Sequence, residues 1–177
     1  MQSTAPITVE IVTADIFDAY HTEVSVCEAQ FRSFGKRKSL VGECETLKVF
    51  EDHTPVLEAL QRPGQGRILI VDAGGSLRVG VLGDRLAAVG VRNDWSGAVV
   101  FGAVRDSTGI DALEFGVKAL GATARRGSLK TKGFHNVPVA FGSAQFEPGN
   151  WIYADTDCVL VSKAKLIIPP AQGALQN

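Results

Sequence analysis

Ile68-Leu-Ile-Val71-Asp72-Ala-Gly74-Gly75-Ser76 is the stretch on which the fold reading turns. Four consecutive apolar residues, three of them β-branched, make a continuous run suited to a strand buried on both faces. The run enters a glycine turn directly, which invites a nucleotide or S-adenosylmethionine reading. That fingerprint needs spaced glycines opening a helix and an acidic residue further on for the ribose. Here the glycines are adjacent and a second strand-like segment, Leu77 to Val81, follows. The segment is therefore read as a turn between strands.

Working outward toward the C-terminus, Gly83-Asp84 opens a helical pattern with Leu86, Ala87, Val89 and Gly90 near one side, and Trp95-Ser-Gly97 ends it. Ala98-Val-Val-Phe101 is the next buried strand, Arg105-Asp106-Ser107 stands at its end, a short helix is expected near Ile110 to Glu114, and Gly116 to Ala122 is one more strand. Toward the N-terminus, Arg62-Pro-Gly-Gln-Gly66 is a turn, and Thr54 to Gln61 is a short helix with Thr54 as cap and Pro55 at its first position. Strands are expected around Glu28 to Ser33 and from Leu40 to Phe50, separated by a solvated Lys36-Arg37-Lys38 turn. Within Ala5 to His21, Thr13 is the expected N-cap of a helix presenting Ile16, Phe17 and Tyr20. The last third reads as short strands at Val137 to Phe141, Gln145 to Phe146, Trp151 to Ala154 and Cys158 to Ser162. Strands alternating with helices between β-rich ends define an α/β domain with a mixed sheet.

Composition narrows the function classes. The 177 residues suit one domain. Eighteen Lys and Arg against nineteen Asp and Glu leave a formal charge of -1, which argues against direct gripping of nucleic acid through bulk charge. No apolar run reaches the about 18 residues of a membrane span. The first basic residue is Arg32, so no charged leader is expected. Three widely spaced cysteines, Cys27, Cys44 and Cys158, fit a reducing compartment, and a soluble cytoplasmic protein is the expectation. His21, His53 and His135 are neither four residues apart nor clustered, and are read as surface or structural residues rather than a zinc site. Ser76 and Ser96 lack the flanking glycines of a nucleophile elbow.

The constellation with chemical content is Gly83-Asp84-Arg85-Leu86 together with Arg105-Asp106. The first group lies where a strand gives way to a helix, whose free N–H groups can receive a carboxylate or phosphate. The second lies at the end of a neighbouring strand, where open α/β sheets place ligands. Asp84 and Asp106 are hard oxygen donors suited to Mg²⁺ or Mn²⁺, and Arg105 offers a fork for a carboxylate or an enolate. Such a site would activate a 2-oxo acid. An N-cap aspartate and a structural Arg–Asp pair would give the same pattern.

These residues resemble the RraA-like family, which includes the regulator of ribonuclease activity A and metal-dependent 4-hydroxy-4-methyl-2-oxoglutarate aldolases. The resemblance runs over residues 10 to 165. Its core is Asp84, twenty intervening residues, then Arg105-Asp106. Supporting segments are Val49-Phe-Glu-Asp52, Val71 to Ser76, Gly80 to Asp84, Phe101 to Asp106 and Pro148 to Asp155. The resemblance implies one RraA-like domain over residues 1–165 with a tail over 166–177, a swivelling β/β/α fold with mixed sheets, and a homotrimer with sites at subunit boundaries. It implies that Asp106 binds the divalent metal and that Arg105 holds substrate and stabilises a pyruvate enolate. Asp84 would position a water on the metal, and the backbone of Gly83, Asp84, Arg85 and Leu86 would receive the substrate carboxylate. The reaction implied is cleavage of a small 4-hydroxy-2-oxo acid to pyruvate, accompanied by oxaloacetate decarboxylation through the same enolate. The alternative is a non-catalytic regulator that binds and inhibits an RNase E-type ribonuclease. One departure stands out: the acidic residue that longer aldolases supply from a neighbouring subunit, within a C-terminal extension, does not map onto a residue of this sequence. The methyltransferase label that some relatives carry finds no support in the adjacent Gly74-Gly75.

Overall fold

The computed structural model describes residues 11–127 and 129–170. Residues 5–10, ahead of the expected first helix, and the last seven residues of the tail lie outside them. The chain opens with α1 (Thr13–Tyr20), β1 (Val24–Cys27), β2 (Arg32–Phe34), β3 (Leu40–Lys48) and α2 (Thr54–Leu60). The central part alternates through β4 (Ile68–Asp72), β5 (Gly80–Leu82), α3 (Asp84–Arg92), β6 (Gly97–Val104), α4 (Ser107–Asp111) and β7 (Gly116–Ala122). Five strands follow: β8 (Phe134–His135), β9 (Val139–Phe141), β10 (Ala144–Phe146), β11 (Trp151–Ala154) and β12 (Val159–Ser162).

The architecture is mixed α/β, as the sequence implies. One sheet runs β1-β12-β11-β3-β4-β6-β7-β2, with β5 beside β6 and β8 beside β3; β9 and β10 form a separate hairpin. β3, β4, β6 and β7 are mutually parallel, while the wings are antiparallel. All five residues of β4 are buried. Alternate side chains divide between two cores, as the two-residue period of a strand requires. Leu69 and Val71, with Ala98 and Val100 of β6, pack with Val56, Ala59, Leu60 and Ala87 of the helices. Ile68 and Ile70, with Val99, meet Val139, Phe141 and Phe146 of the hairpin layer. Each such side chain contributes roughly 2 kcal/mol on burial, so this sandwich of hairpin, sheet and helices fixes the frame of the molecule.

Several local expectations shift. Thr13 is not the cap of α1: Val12 holds that position, and Thr13 donates its N–H and its hydroxyl to the Asp155 carboxylate at 2.7 and 2.9 Å. A carboxylate from a distant segment thus serves the first turn. His53 rather than Thr54 is the N-cap of α2, and the Thr54 N–H donates to Asp52 Oδ1 at 2.9 Å. The strand expected over 77–81 is β5 at Gly80–Leu82, because Ser76 and Arg78 are held aside by Glu51. The short helix expected near Ile110 to Glu114 begins earlier, at Ser107, because the Asp106 carbonyl accepts from the N–H groups of Gly109 and Ile110. β1 and β8 carry no pattern that marks them in the sequence. At the end of the described chain Leu166 is buried and its N–H donates to the Tyr153 hydroxyl at 2.7 Å.

Candidate functional site

The parallel strands converge on a cleft at their C-terminal ends, where open α/β sheets leave loops free to gather. β4 pairs with β6 as far as Asp72 and Phe101; after a turn, β5 takes over the same edge, with Gly80 opposite Ala103 and Leu82 opposite Val104. The chain leaves β5 through Gly83 into α3 and leaves β6 through Arg105 and Asp106 into α4. The segment after β7 closes the other side: Arg126 forms a parallel bridge with Gly80, and the Gly80 N–H donates to the Arg125 carbonyl at 2.8 Å. Together these exits enclose a cleft of about 350 Å³ lined by Gly83, Asp84, Arg85, Leu86, Arg105 and Asp106, with Gly80, His53 and Arg126.

Every site residue singled out in the sequence lies in this cleft, and glycines set how closely they pack. A Cβ on Gly83 would stand 3.0 Å from Asp106 Oδ2, and one on Gly80 would stand 2.9 Å from Arg105 Cβ. A Cβ on Gly109 would lie 2.7 Å from both Cβ and Oδ2 of Asp84. Asp106 adopts the left-handed backbone, φ 53° and ψ 41°, which Asp tolerates better than most residues and which turns the chain sharply from β6 into α4. Arg105 Nε lies 3.0 Å from Asp106 Oδ2 but off the N–H direction, so the contact is Coulombic and Nε has no hydrogen-bond partner among the described residues.

At the start of α3, Asp84 Oδ1 accepts from the N–H of Arg85 at 2.7 Å. Of the backbone donors expected to receive a carboxylate, Arg85 is thereby occupied, while the N–H groups of Asp84 and Leu86 have no partner among the described residues. The cleft therefore offers two backbone donors at a helix start, the Arg105 guanidinium and two carboxylates. One wall suits an anion and the other a hard cation.

Two residues here escaped the sequence reading. His53, taken there as a surface or structural residue, projects into the cleft, and Arg126, which was not singled out, is beside it. Arg126 Nη2 lies 2.8 Å from His53 Nε2, and His53 Nδ1 lies 2.7 Å from the Gly127 carbonyl. A guanidinium only donates, so Nε2 is the acceptor and Nδ1 faces the Gly127 carbonyl as donor. The signal that could have found them is topological: His53 follows β3 and Arg126 follows β7, both parallel strands.

Chemistry elsewhere is quiet. Cys27 and Cys44 are buried, and burial pushes the Cys44 thiol up to about 12, so neither is a ready nucleophile. Gly74 and Gly75 both have positive φ, 66° and 70°, and lead toward β5 rather than a helix, so the turn lacks the phosphate cradle of a dinucleotide site.

A parallel-centred α/β sheet with a mixed anionic and cationic cleft at its strand ends defines the class of the molecule. The family model described as RraA-like, Aldolase/RraA, matches residues 13–161, and the chain belongs to that family. It is 46% identical over 158 residues to an Aromatoleum aromaticum protein named "Putative 4-hydroxy-4-methyl-2-oxoglutarate aldolase", covering 89% of this chain and 99% of that one. A similarly named Alkalilimnicola ehrlichii protein is 42% identical over 157 residues, covering 89% and 98%. Among solved structures, the fold superposes with a TM-score of 0.85 and 36% identity on the RNA-processing inhibitor RraA from Thermus thermophilus, covering 89% of this chain and 96% of that one. A Geobacillus kaustophilus structure described as an S-adenosylmethionine: 2-dimethylmenaquinone methyltransferase gives 0.86 and 39%, covering 88% and 97%.

Proposed function

We propose that this chain is a divalent-metal-dependent lyase that cleaves 4-hydroxy-4-methyl-2-oxoglutarate-type 2-oxo acids to pyruvate and decarboxylates oxaloacetate through the same enolate. The observation that carries the reading is the pairing of Arg105 and Asp106 beside the unpartnered N–H groups of Asp84 and Leu86 in one open cleft. The names of the aldolase-like relatives support it.

The donor set fits a hydrated Mg²⁺ or Mn²⁺. Among the described residues no group of three or more His, Cys, Asp or Glu converges, which does not suit a dehydrated all-protein cage. One or two carboxylates are what Mg²⁺ ordinarily takes from a protein while keeping its waters. Asp106 is the ligand in this reading. A bound divalent ion supplies Lewis acidity toward the 2-oxo group.

The chain's own groups do the rest. The N–H groups of Asp84 and Leu86 receive the C1 carboxylate, aided by the start of α3. Arg105 faces the oxygen that gains charge as the C3–C4 bond breaks and its electrons pass into the 2-oxo group. The C4 hydroxyl gives its proton to a cleft water that Asp84 Oδ2 would position, and that proton returns to C3 of the enolate to give pyruvate. His53 Nε2 is committed to Arg126 and is not the base.

The test is a coupled pyruvate assay on 4-hydroxy-4-methyl-2-oxoglutarate and on oxaloacetate, with Mg²⁺ or Mn²⁺ and with EDTA, using the Asp106→Ala protein as blank. Metal-dependent turnover above the blank is expected on both; turnover no greater than the blank would sink the reading. Assembly as a homotrimer with sites at subunit boundaries is part of the proposal, and the exposed Phe50, Leu129 and Phe134 support a subunit contact. Light scattering should return three chain masses.

A second reading, a regulator that binds an RNase E-type ribonuclease, draws on the similarity to the Thermus thermophilus RNA-processing inhibitor. It requires an Asp106→Ala protein that still inhibits the ribonuclease.

A further inference from the structure

The reading above uses the Arg105 wall of the cleft and leaves the opposite wall unexplained. That wall carries Arg126, whose backbone and guanidinium are each tethered. Its backbone bridges Gly80, its Nη2 donates to His53 Nε2 at 2.8 Å, and His53 is itself held through Nδ1 to the Gly127 carbonyl at 2.7 Å. Among the described residues no carboxylate lies within ion-pair distance of Arg126, and its remaining guanidinium N–H groups have no hydrogen-bond partner. A surface arginine that merely solvates itself needs no such tethering. Arg126 is exposed, but with its backbone bridged, one guanidinium nitrogen bonded to His53 and its other donors unspent on the wall of a cleft, it is placed for a planar anion.

Gly80 sets its relation to the reacting end. It pairs with Ala103 of β6 on one side and with Arg126 on the other, so Arg126 stands about two strand spacings, roughly 10 Å, across the sheet from β6. Arg105 leaves the end of β6 against the same glycine. A ligand whose C1 carboxylate lies at the start of α3 and whose 2-oxo group faces Arg105 thus has a second, separate cation available to its far end. The charge balance agrees: Arg85, Arg105 and Arg126 face Asp84 and Asp106 in the cleft, so it favours anions before any metal is counted.

We propose that Arg126 is the specificity-determining residue for the distal carboxylate of the substrate, selecting dianionic over monoanionic 2-oxo acids, and that His53 is the positioning residue that holds its guanidinium. The inference rests on the lyase reading of the cleft and deepens it. In the cleavage of a 4-hydroxy-2-oxo diacid, the carboxylate held by Arg126 becomes that of the departing 2-oxo acid. Arg126 takes no part in bond breaking.

Binding of two acids that cannot undergo the cleavage tests this by titration calorimetry with Mn²⁺ present: 2-oxoglutarate, and 2-oxopentanoate, which replaces its distal carboxylate by a methyl group. The protein should prefer 2-oxoglutarate by at least about tenfold in Kd, the margin of one charge-assisted contact. In Arg126→Gln the ratio between the two should fall to near one. In His53→Phe, which keeps a ring without nitrogens, the ratio should fall part of the way, and His53→Asn, which restores an acceptor, should recover some of it. Equal binding of both acids by the unaltered protein, or an undiminished ratio in Arg126→Gln, overturns the assignment of Arg126 and leaves the lyase reading in place. Failure of the unaltered protein to bind either acid overturns the lyase reading and this inference with it.

Discussion

The turn after β4 and the cleft after β5 and β6 are built from the same materials, glycines and aspartates at the ends of parallel strands, and they come out opposite. In the turn the main polar groups are spent within the chain. Asp72 Oδ1 accepts from the Gly74 N–H at 2.9 Å, the Gly75 N–H donates to the Phe101 carbonyl at 3.0 Å, and Glu51 takes the Ser76 hydroxyl at 2.8 Å and Arg78 Nε at 2.7 Å. Those bonds from Ser76 and Arg78 hold the Glu51 carboxyl below its ordinary range. The rings of Phe50 and Phe101 lie where side chains on the two glycines would reach. In the cleft the same residue types remain open: among the described residues Arg105 Nε and the N–H groups of Asp84 and Leu86 lack partners, and Asp106 is held in the left-handed region. A glycine-rich strand end is a candidate site where its polar groups are unspent, and a plain turn where they are satisfied.

The contrast can be broken at Arg105. Replacing it with Lys keeps the charge and loses the fork, and should cost about 10²-fold in kcat of pyruvate formation while leaving the thermal midpoint near that of the unaltered protein. A kcat within threefold would remove Arg105 from the chemistry. A smaller effect is expected at Gly109, whose added methyl would press on Asp84. Gly109→Ala should lower kcat roughly tenfold through displacement of Asp84, although the helix itself gains up to about 1 kcal/mol from the exchange. Activity and stability moving down together would point to misfolding instead. On the turn side the pattern should invert. Gly74→Ala places a side chain at φ 66°, and should cost about 1 kcal/mol in urea unfolding while pyruvate formation stays within twofold.

The smallest effect is on pH dependence away from both regions. Lys118 is buried on β7, its ammonium donating to Ser33 Oγ and the Lys38 carbonyl at 2.7 Å each, and burial draws it down to about 8. Its folded value lies below the unfolded one, so the unfolded chain binds more protons between them. Stability should therefore rise as pH increases from about 8 toward 10. Lys118→Met should flatten that rise, and an unchanged slope would count against the assignment.

How much of this could be read from the sequence follows from range of interaction. The apolar run at Ile68 to Val71 and the strand-then-helix pattern at Gly80 to Arg92 are local signals, and the mixed α/β sheet followed from them. Asp84, Arg105 and Asp106 were legible because each sits directly beyond a recognisable strand, where ligands gather. Thr13 was misplaced as a cap because its partner, Asp155, is 142 residues away. His53 and Arg126 were hidden for the same reason: they are 73 residues apart, and only the Gly80 bridge brings the segment after β7 back over the end of β5. No periodicity records that closure. Applying the strand-end rule to β3 and β7, and not only to β5 and β6, would have nominated both.

The most direct test of the account compares one aspartate from each region. Pyruvate release from 4-hydroxy-4-methyl-2-oxoglutarate with Mn²⁺ is measured for Asp106→Asn and Asp72→Asn, both nearly isosteric, with folding checked by circular dichroism. Loss of a metal ligand removes several kcal/mol of charge stabilisation, roughly a thousandfold in rate. The prediction is a loss of that order in Asp106→Asn and a rate within threefold of the unaltered protein in Asp72→Asn. Full turnover in a folded Asp106→Asn protein would contradict the claim that the cleft after β5 and β6 is the site.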